Sequence, residues 1–235
     1  MAAVVSTSSP VMALPKRPSN PTPLELAIYN YEKQVLEYKK KQKQFKAEKR
    51  AELIKDWEHL QRERTRISIQ AELQKDLESY RADALDKSPR ELAMEPHHPT
   101  RILAKNLTAI AEPKPSPNHD PHHIVMGKGR WRAFDMMNVR LSMHAHGLGI
   151  NDPTNGVWLP RNKKDKGHWA TPNAPAHKEI HRFNYESWIV SAIGKTITSE
   201  HILKNRLRNV KMKLKTGTHP QKILQPKDAT WRGNE

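Results

Sequence analysis

The sequence predicts an α+β protein in which a long helical N-terminal module precedes a small mixed half of two short strands and several helices. Three observations carry that expectation. Residues 24–87 contain neither Gly nor Pro and are dominated by Glu, Lys, Gln, Ala and Leu, all strong helix formers. The proline-spaced stretch Ala111-Glu112-Pro113-Lys114-Pro115-Ser116-Pro117-Asn118 then changes the character of the chain, as linkers between domains do. Beyond it, two short apolar runs bounded by Gly or Pro, at 122–126 and 157–159, have strand composition.

Composition bounds the answer further. At 235 residues the chain holds one large or two small domains. Hydrophobic residues make up 36% and mean hydropathy is −0.86, which predicts a modest core beside a long solvated helical region. With no cysteine, disulfides and thiolate metal sites are excluded. No run approaches the roughly 20 apolar residues of a membrane span, and Met1 to Pro15 lacks the basic opening of a secretory signal. The formal charge of +16 and a pI near 10 point to a polyanionic partner, nucleic acid first, because phosphate contacts release counterions. An acidic protein is the alternative.

Residues 1–21, rich in Ser, Pro and Ala and without periodicity, read as a disordered tail. A helical module follows over 22–110. Thr22-Pro23-Leu24-Glu25 combines an N-cap hydroxyl, a proline at the first helical position and the glutamate of a capping box. Apolar periodicity comes in three pieces: Ile28, Tyr31, Val35 and Tyr38; Leu53, Trp57, Leu60 and Ile67; Leu73, Leu77, Tyr80 and Ala84. Such interrupted registers predict a helical hairpin or a stuttering coiled coil, within one chain or between two, with a break at 43–49 or 63–65. Ser88-Pro89-Arg90-Glu91 opens a short helix on a second capping box, and 100–110 is a further helical segment. The domain boundary falls at the linker, 111–118.

After the linker, 122–126 reads as a strand ending at Gly127 and Gly129, and Phe134, Met137 and Leu141 mark one face of a helix that stops near His146-Gly147. Asn155-Gly156 signals a turn into Val157-Trp158-Leu159, which Pro160 ends. Residues 161–175 form a polar, basic loop. Pro175 begins a helix carrying His177, His181, Tyr185, Trp188 and Ile189, and a last, very basic helix runs from Ser199 to Leu214. Residues 216–235 read as a C-terminal tail.

Ten of the thirteen histidines lie between His119 and His219, and two stretches concentrate them. In His177-Lys178-Glu179-Ile180-His181 the imidazoles are four residues apart, neighbours on a helix at about 5–6 Å, which lets both reach one metal ion. A lone pair at this spacing is more often two surface histidines. In Asp120-Pro121-His122-His123-Ile124-Val125 the adjacent histidines of a strand face opposite ways. One of the pair can bind the metal while the other faces the volume where water and phosphate would sit. A neutral imidazole, with an ordinary pKa near 6.5, suits a general base, and a divalent ion would polarise the phosphoryl oxygen. Together the two stretches predict a one-metal phosphodiester hydrolase. His97-His98, between prolines with no apolar strand after it, reads as loop, and His144 and His146 as C-terminal helix caps. His168, in Gly167-His168-Trp169, could replace either histidine of the later pair as ligand.

These residues resemble the AHH nucleases. His122-His123-Ile124-Val125, Gly149-Ile150, Asn155-Gly156-Val157-Trp158-Leu159-Pro160 and His177-x3-His181-x3-Tyr185 match that family in order and spacing, over roughly residues 117–195. The alanine of the family name is Pro121 here, a position without side-chain chemistry. The family is identified as part of the HNH/endonuclease VII superfamily and occurs as toxin domains in bacterial polymorphic toxin and type VI secretion systems. The resemblance implies a ββα-metal, treble-clef-like core within a nuclease domain over 119–215. By that resemblance His122 is a metal ligand, His123 the general base that activates water, and Asn155 the hairpin asparagine that orients the loop and the base. His177 and His181 complete the metal site, one of them free in such relatives to contact phosphate or water instead. Arg140, on the helix inserted between the strands, is implied as a phosphate contact.

The leading expectation is a metal-dependent endonuclease, a DNase toxin effector of interbacterial competition. Lys163, Lys164, Lys166, Arg206 and Arg208 would hold the backbone of DNA, or of RNA, without reading sequence. One divalent ion serves it, Mg²⁺, Mn²⁺, Zn²⁺ or Ni²⁺. An acidic immunity protein is the implied partner, and the N-terminal helices would serve delivery by a secretion-machine component or self-association. The expected place of action is the target-cell cytoplasm after secretion without a signal peptide, or an ordinary cytoplasmic location. Two other readings stand beside it: a non-catalytic nucleic-acid-binding or phage-associated structural protein on a nuclease-like scaffold, and a DNA-processing nuclease that is not a toxin.

Overall fold

The computed structural model describes residues 14–44, 50–196 and 199–234. The chain forms two compact units, Met1–Glu72 and Leu73–Glu235. In the first, helix α1 (Pro23–Lys43) starts on the expected capping box: the Thr22 hydroxyl accepts from the Glu25 amide at 3.2 Å, and the Glu25 carboxylate accepts from the Thr22 amide at 2.7 Å. It packs as an intrachain hairpin against the first part of α2 (Arg50–Leu85). Tyr38 stacks on Trp57 with centroids 5.6 Å apart, Leu36 and Leu60 are buried, and Lys41 donates to Asp56 at 2.9 Å. Of the two expected breaks, 63–65 is continuous helix; the other falls between α1 and α2, where 45–49 lie outside the described residues. So do residues 1–13 of the expected tail. Among the described residues, no helix is long and apolar enough to cross a membrane.

In the second unit the C-terminal part of α2 is followed by α3 (Pro89–Ala93), on its Ser88 capping box, and α4 (Arg101–Ala109). Strand β1 (His119–His123) pairs antiparallel with β2 (Gly156–Pro160), His122 opposite Val157 and His123 opposite Gly156. Between the strands lies α5 (Ala133–His144); α6 (Phe183–Ile193) and α7 (Glu200–Thr216) follow them. Sheet alternation sorts the core. Val157 and Leu159 join Trp188, Ile189, Leu203 and Leu207 in the main cluster with α6 and α7, whereas Trp158 turns to Leu103 and Leu107 of α4. Glycine at 156 suits that second contact, since a Cβ there would stand 2.6 Å from Leu103 Cδ1 and displace that side chain. The α+β class and the element order are those the sequence predicts.

Several local features differ from expectation, each for a physical reason. β1 covers 119–123 rather than 122–126: the amides of Ile124 and Val125 leave the ladder for Asn155, bonding its carbonyl at 2.8 Å and its Oδ1 at 2.7 Å. α5 buries Met136, Val139, Arg140, Met143 and His144, not the face of Phe134, Met137 and Leu141; Phe134 is 78% exposed. Arg140 and His144 occupy the core face because buried partners satisfy them, which a count of apolar residues does not register. No α-helix starts at Pro175. Residues 177–179 form one 3-10 turn, and α6 begins only at Phe183. The Arg182 amide bonds the Ile180 carbonyl and its Nε the Glu179 carbonyl, both at 2.8 Å, diverting the chain while Ile180 enters the core.

The proline-spaced stretch does not divide the units, because Glu112 is pinned: its carbonyl accepts from Trp158 Nε1 at 2.8 Å and its carboxylate from Lys211 Nζ at 3.1 Å. The α3 and α4 segments therefore belong with the sheet. Nor is 216–235 a loose tail. A 3-10 turn at Gln221–Leu224 buries Ile223, and Asn184 of α6 donates to the carbonyls of Lys222 and Pro226 at 2.8 and 2.9 Å. The basic helix α7 is half core: Leu203, Leu207, Val210 and Leu214 are buried, as is Lys211.

His144 gives this unit a pH dependence. Its Nε2 accepts from Arg140 Nε at 3.0 Å and its Nδ1 donates to the Leu148 carbonyl at 2.7 Å, an arrangement of the neutral ring. Burial, aided by the Arg140 charge and opposed by the Leu148 bond, pushes its pKa down to about 4. A depressed folded-state value means stability that is present above the unfolded value near 6.5 and lost as pH falls toward 4. The loss is on the order of 2–3 kcal/mol. Urea unfolding at pH 7 and pH 4.5 is expected to show a smaller drop for His144→Gln than for wild type; equal drops would remove His144 as the source.

Candidate metal centre and catalytic cleft

Strand β1, the 3-10 turn and the connection from that turn into α6 bring the histidines together. His122 faces α6, where its Nε2 lies 2.8 Å from the Tyr185 hydroxyl. That hydroxyl donates to the Ile124 carbonyl at 3.1 Å, so its oxygen accepts from His122. The His122 proton therefore sits on Nε2, and Nδ1 keeps the lone pair. His177 and His181 close the group, with ring centroids 5.0 and 5.6 Å from His122 and 4.7 Å from each other. One ring nitrogen from each of the three lies within 4.8 Å of the other two. The later pair meets without an α-helix beneath it, because the turn at 177–179 folds back at Ile180.

Desolvation lowers the pKa of all three imidazoles, most for His122, although His181 keeps an exposed side. His122, fully enclosed and beside His177 and His181, is held well below the ordinary histidine range. Burial, then His181, lowers His177 to about 4, and burial, then His98, lowers His181. Three neutral imidazoles with converging nitrogens are the donor set that a divalent ion requires. Behind them Asp120, gripped by Arg161 at 3.0–3.1 Å, stands 3.8 Å from His177 Nδ1. With a Tyr185 hydroxyl fixing one ring and a carboxylate behind another, the outer partners of a metal site are present too. Tyr185→Phe, which removes only the hydroxyl, is expected to weaken divalent-ion affinity about 10- to 100-fold in a competitive chelator titration. Unchanged affinity would mean that the hydroxyl does not orient His122 for the ion.

His123, next along β1, turns to the opposite face yet lines the same cleft as His122, His177 and His181. Its Nε2 is 3.0 Å from Asn151 Oδ1. Burial, against that bond, pushes its pKa down to about 4, so the ring is neutral and able to take a proton. Asn155 departs from its implied double role. It staples the loop, with Oδ1 accepting from the Val125 amide at 2.7 Å and Nδ2 donating to the carbonyls of Val125 and Ile150 at 3.0 Å, but the side chain bonded to His123 is Asn151. Arg140 is not placed for phosphate. It is buried and donates to the Gly127, Leu92 and Glu95 carbonyls at 2.6, 3.3 and 3.4 Å, scaffolding the loop that follows β1.

Lys163, Lys164 and Lys166 are exposed after β2, with Lys163 and Lys166 3.4 and 3.9 Å from Glu179. On α7, Arg208 is exposed and Arg206 donates to the Ile193 carbonyl at 2.7 Å. None of the five lines the histidine cleft. His168 packs edge-on against His119 at 5.0 Å, outside the group of three.

The cleft also carries residues without a sequence signal. His97 and His98 lie in a loop, as their prolines predict, yet line the cleft; the His97 ring is 6.4 Å from that of His123. Lys128 and Arg130, just after the Gly127 stop, line it as well. Their loop is held by buried Glu186, whose carboxylate accepts from the amides of Arg130, Trp131 and Arg132 at 2.6, 3.0 and 2.5 Å. Tyr185 and Glu186, adjacent on α6, thus fix a candidate ligand and a basic loop from one helical turn.

A family model described as AHH, a nuclease family of the HNH/ENDO VII superfamily with conserved AHH, matches residues 103–216, from within α4 to the end of α7. No curated protein and no solved structure matches the chain.

Proposed function

Given that residues 103–216 belong to the AHH nuclease family of the HNH/ENDO VII superfamily, we propose that this chain is a metal-dependent endonuclease, a DNase toxin effector used between competing bacteria. Nuclease activity follows from the family. The carrying observation for the finer reading is one cleft that holds three convergent neutral imidazoles, a fourth on the other strand face, and two basic side chains. His122, His177 and His181 would hold the ion, and an all-imidazole set suits Zn²⁺ or Ni²⁺ better than Mg²⁺ or Mn²⁺, which prefer oxygen. When bound, the ion supplies positive charge for the phosphoryl oxygen and the leaving oxygen.

The remaining work falls to the chain. His123 takes the proton of the attacking water; as the water oxygen bonds to phosphorus, the phosphorus–oxygen ester bond breaks. Lys128 and Arg130 hold the phosphates nearest the cleft, and Lys163, Lys164, Lys166, Arg206 and Arg208 extend the positive surface for the backbone. The net charge of +16 supports this mode of binding without base readout. Delivery or loading through the N-terminal hairpin, action in the target-cell cytoplasm and neutralisation by an acidic immunity protein complete the proposal.

Inducible expression in the cytoplasm of a naive bacterium tests the toxin reading. Wild type is expected to stop growth with loss of chromosomal DNA, and His123→Ala to be tolerated. A wild-type protein that cuts DNA in vitro yet leaves the host unharmed would leave a nuclease of another role.

A further inference from the structure

We propose that Glu95, acting through Asn151, is a positioning residue for His123, so that the segment preceding the matched family region is a working part of the site. The inference rests on the reading of His123 as the base. Asn151 is 1% exposed, and its Nδ2 donates to Glu95 Oε1 at 2.7 Å and to the Pro96 carbonyl at 3.1 Å. Both partners only accept. A flipped amide would set its oxygen against two acceptors, so the orientation of the side chain is fixed. Oδ1 is then forced toward His123, where it too can only accept. The His123 proton must therefore sit on Nε2, which leaves the lone pair on Nδ1 to take a proton from water. The opposite tautomer would leave Nε2 and Oδ1 as two acceptors 3.0 Å apart.

The rest of the network holds Glu95 and Asn151 in register. The Tyr80 hydroxyl, from α2, meets both Glu95 carboxylate oxygens at 2.9 Å and accepts from the Asn151 amide at 3.1 Å. The Ile150 amide donates to Glu95 Oε2 at 3.1 Å, and Asn106 Nδ2 donates to the Asn151 carbonyl at 2.9 Å. Gly149 makes room for this packing, since a Cβ there would collide with the Tyr80 hydroxyl. Glu95 and Tyr80 come from the helical region that the sequence sets apart from the site, and both precede residue 103, where the family match starts.

Two readouts on the full-length protein test this. Long-range ¹H–¹⁵N spectra of the metal-free wild type, with the His123 signals assigned by their loss in His123→Gln, are expected to show the Nε2–H form at neutral pH. An Nδ1–H form would overturn the inference whatever any variant does. In cleavage assays with the metal that supports wild type, Asn151→Ala and Glu95→Ala are expected to lower kcat about 10- to 100-fold with KM for DNA little changed. Asn151→Asp alone sets a carboxylate against Glu95 and should fare as badly. Combined with Glu95→Gln it reverses donor and acceptor between 95 and 151 and keeps an acceptor for Nε2, while the Pro96 carbonyl still meets an oxygen at 151; part of the lost rate is expected to return. A folded Asn151→Ala that cuts at the wild-type rate, or a double variant no better than Asn151→Asp, would overturn the role. An inactive wild type with the Nε2–H tautomer would instead count against the nuclease reading and leave the positioning intact.

Discussion

His123→Ala is expected to lower DNA cleavage by about 10²–10⁴-fold while leaving divalent-ion binding at the wild-type level. The reason lies in strand geometry. His122 and His123 are covalent neighbours on β1, but alternation sends one to Tyr185 and the ligand group and the other to Asn151. Removing His123 deletes the proposed proton acceptor without touching any of the three convergent nitrogens. Gel-based cleavage rates and isothermal titration with the same ion separate the two effects. A variant that loses both together would mean that His123 is itself a ligand.

His122→Ala is expected to abolish both functions, with a loss of metal affinity of at least about 100-fold. His122 is the most enclosed of the three imidazoles and the only one whose tautomer a buried hydroxyl fixes. His177 sits on the 3-10 turn and His181 just beyond it, and both are less buried than the strand residue. Metal content after dialysis against a limiting chelator measures the loss. If His122→Ala retains one ion per chain at wild-type affinity, the ion does not sit among these histidines.

What could be read from the sequence follows from which interactions are local. The two capping boxes at Thr22 and Ser88 and the strand Val157-Trp158-Leu159 depend on neighbours within a few residues, and they form as predicted; the turn expected at Asn155-Gly156 is instead a 3-10 turn at Pro153–Asn155, with Gly156 already extended in β2. His122, His177 and His181 were recognisable by residue type and spacing, although the helix invoked for the later pair is a 3-10 turn. The illegible parts are long-range. Arg140 looks like a surface cation until three carbonyls from distant segments surround it. Asn151 and Glu95 are separated by 56 positions, and nothing in the pattern of either stretch pairs them. His97-His98 shares the composition of an idle loop and enters the cleft only because 73–102 fold with the sheet rather than with α1. Glu112 shows why the linker misleads: its backbone and side chain anchor to β2 and α7, contacts that no proline count reveals.

The central claim is metal-dependent hydrolysis at the cleft of His122, His123, His177 and His181. Its most direct measurement is plasmid cleavage by the EDTA-stripped, full-length protein resupplied in turn with Mn²⁺, Ni²⁺, Zn²⁺ and Mg²⁺, beside His123→Ala at matched metal occupancy. Cleavage that returns with at least one ion in wild type, and stays about 10²-fold or more lower in the variant, is the predicted result. Cleavage that persists undiminished in EDTA, or that no ion restores, would contradict it.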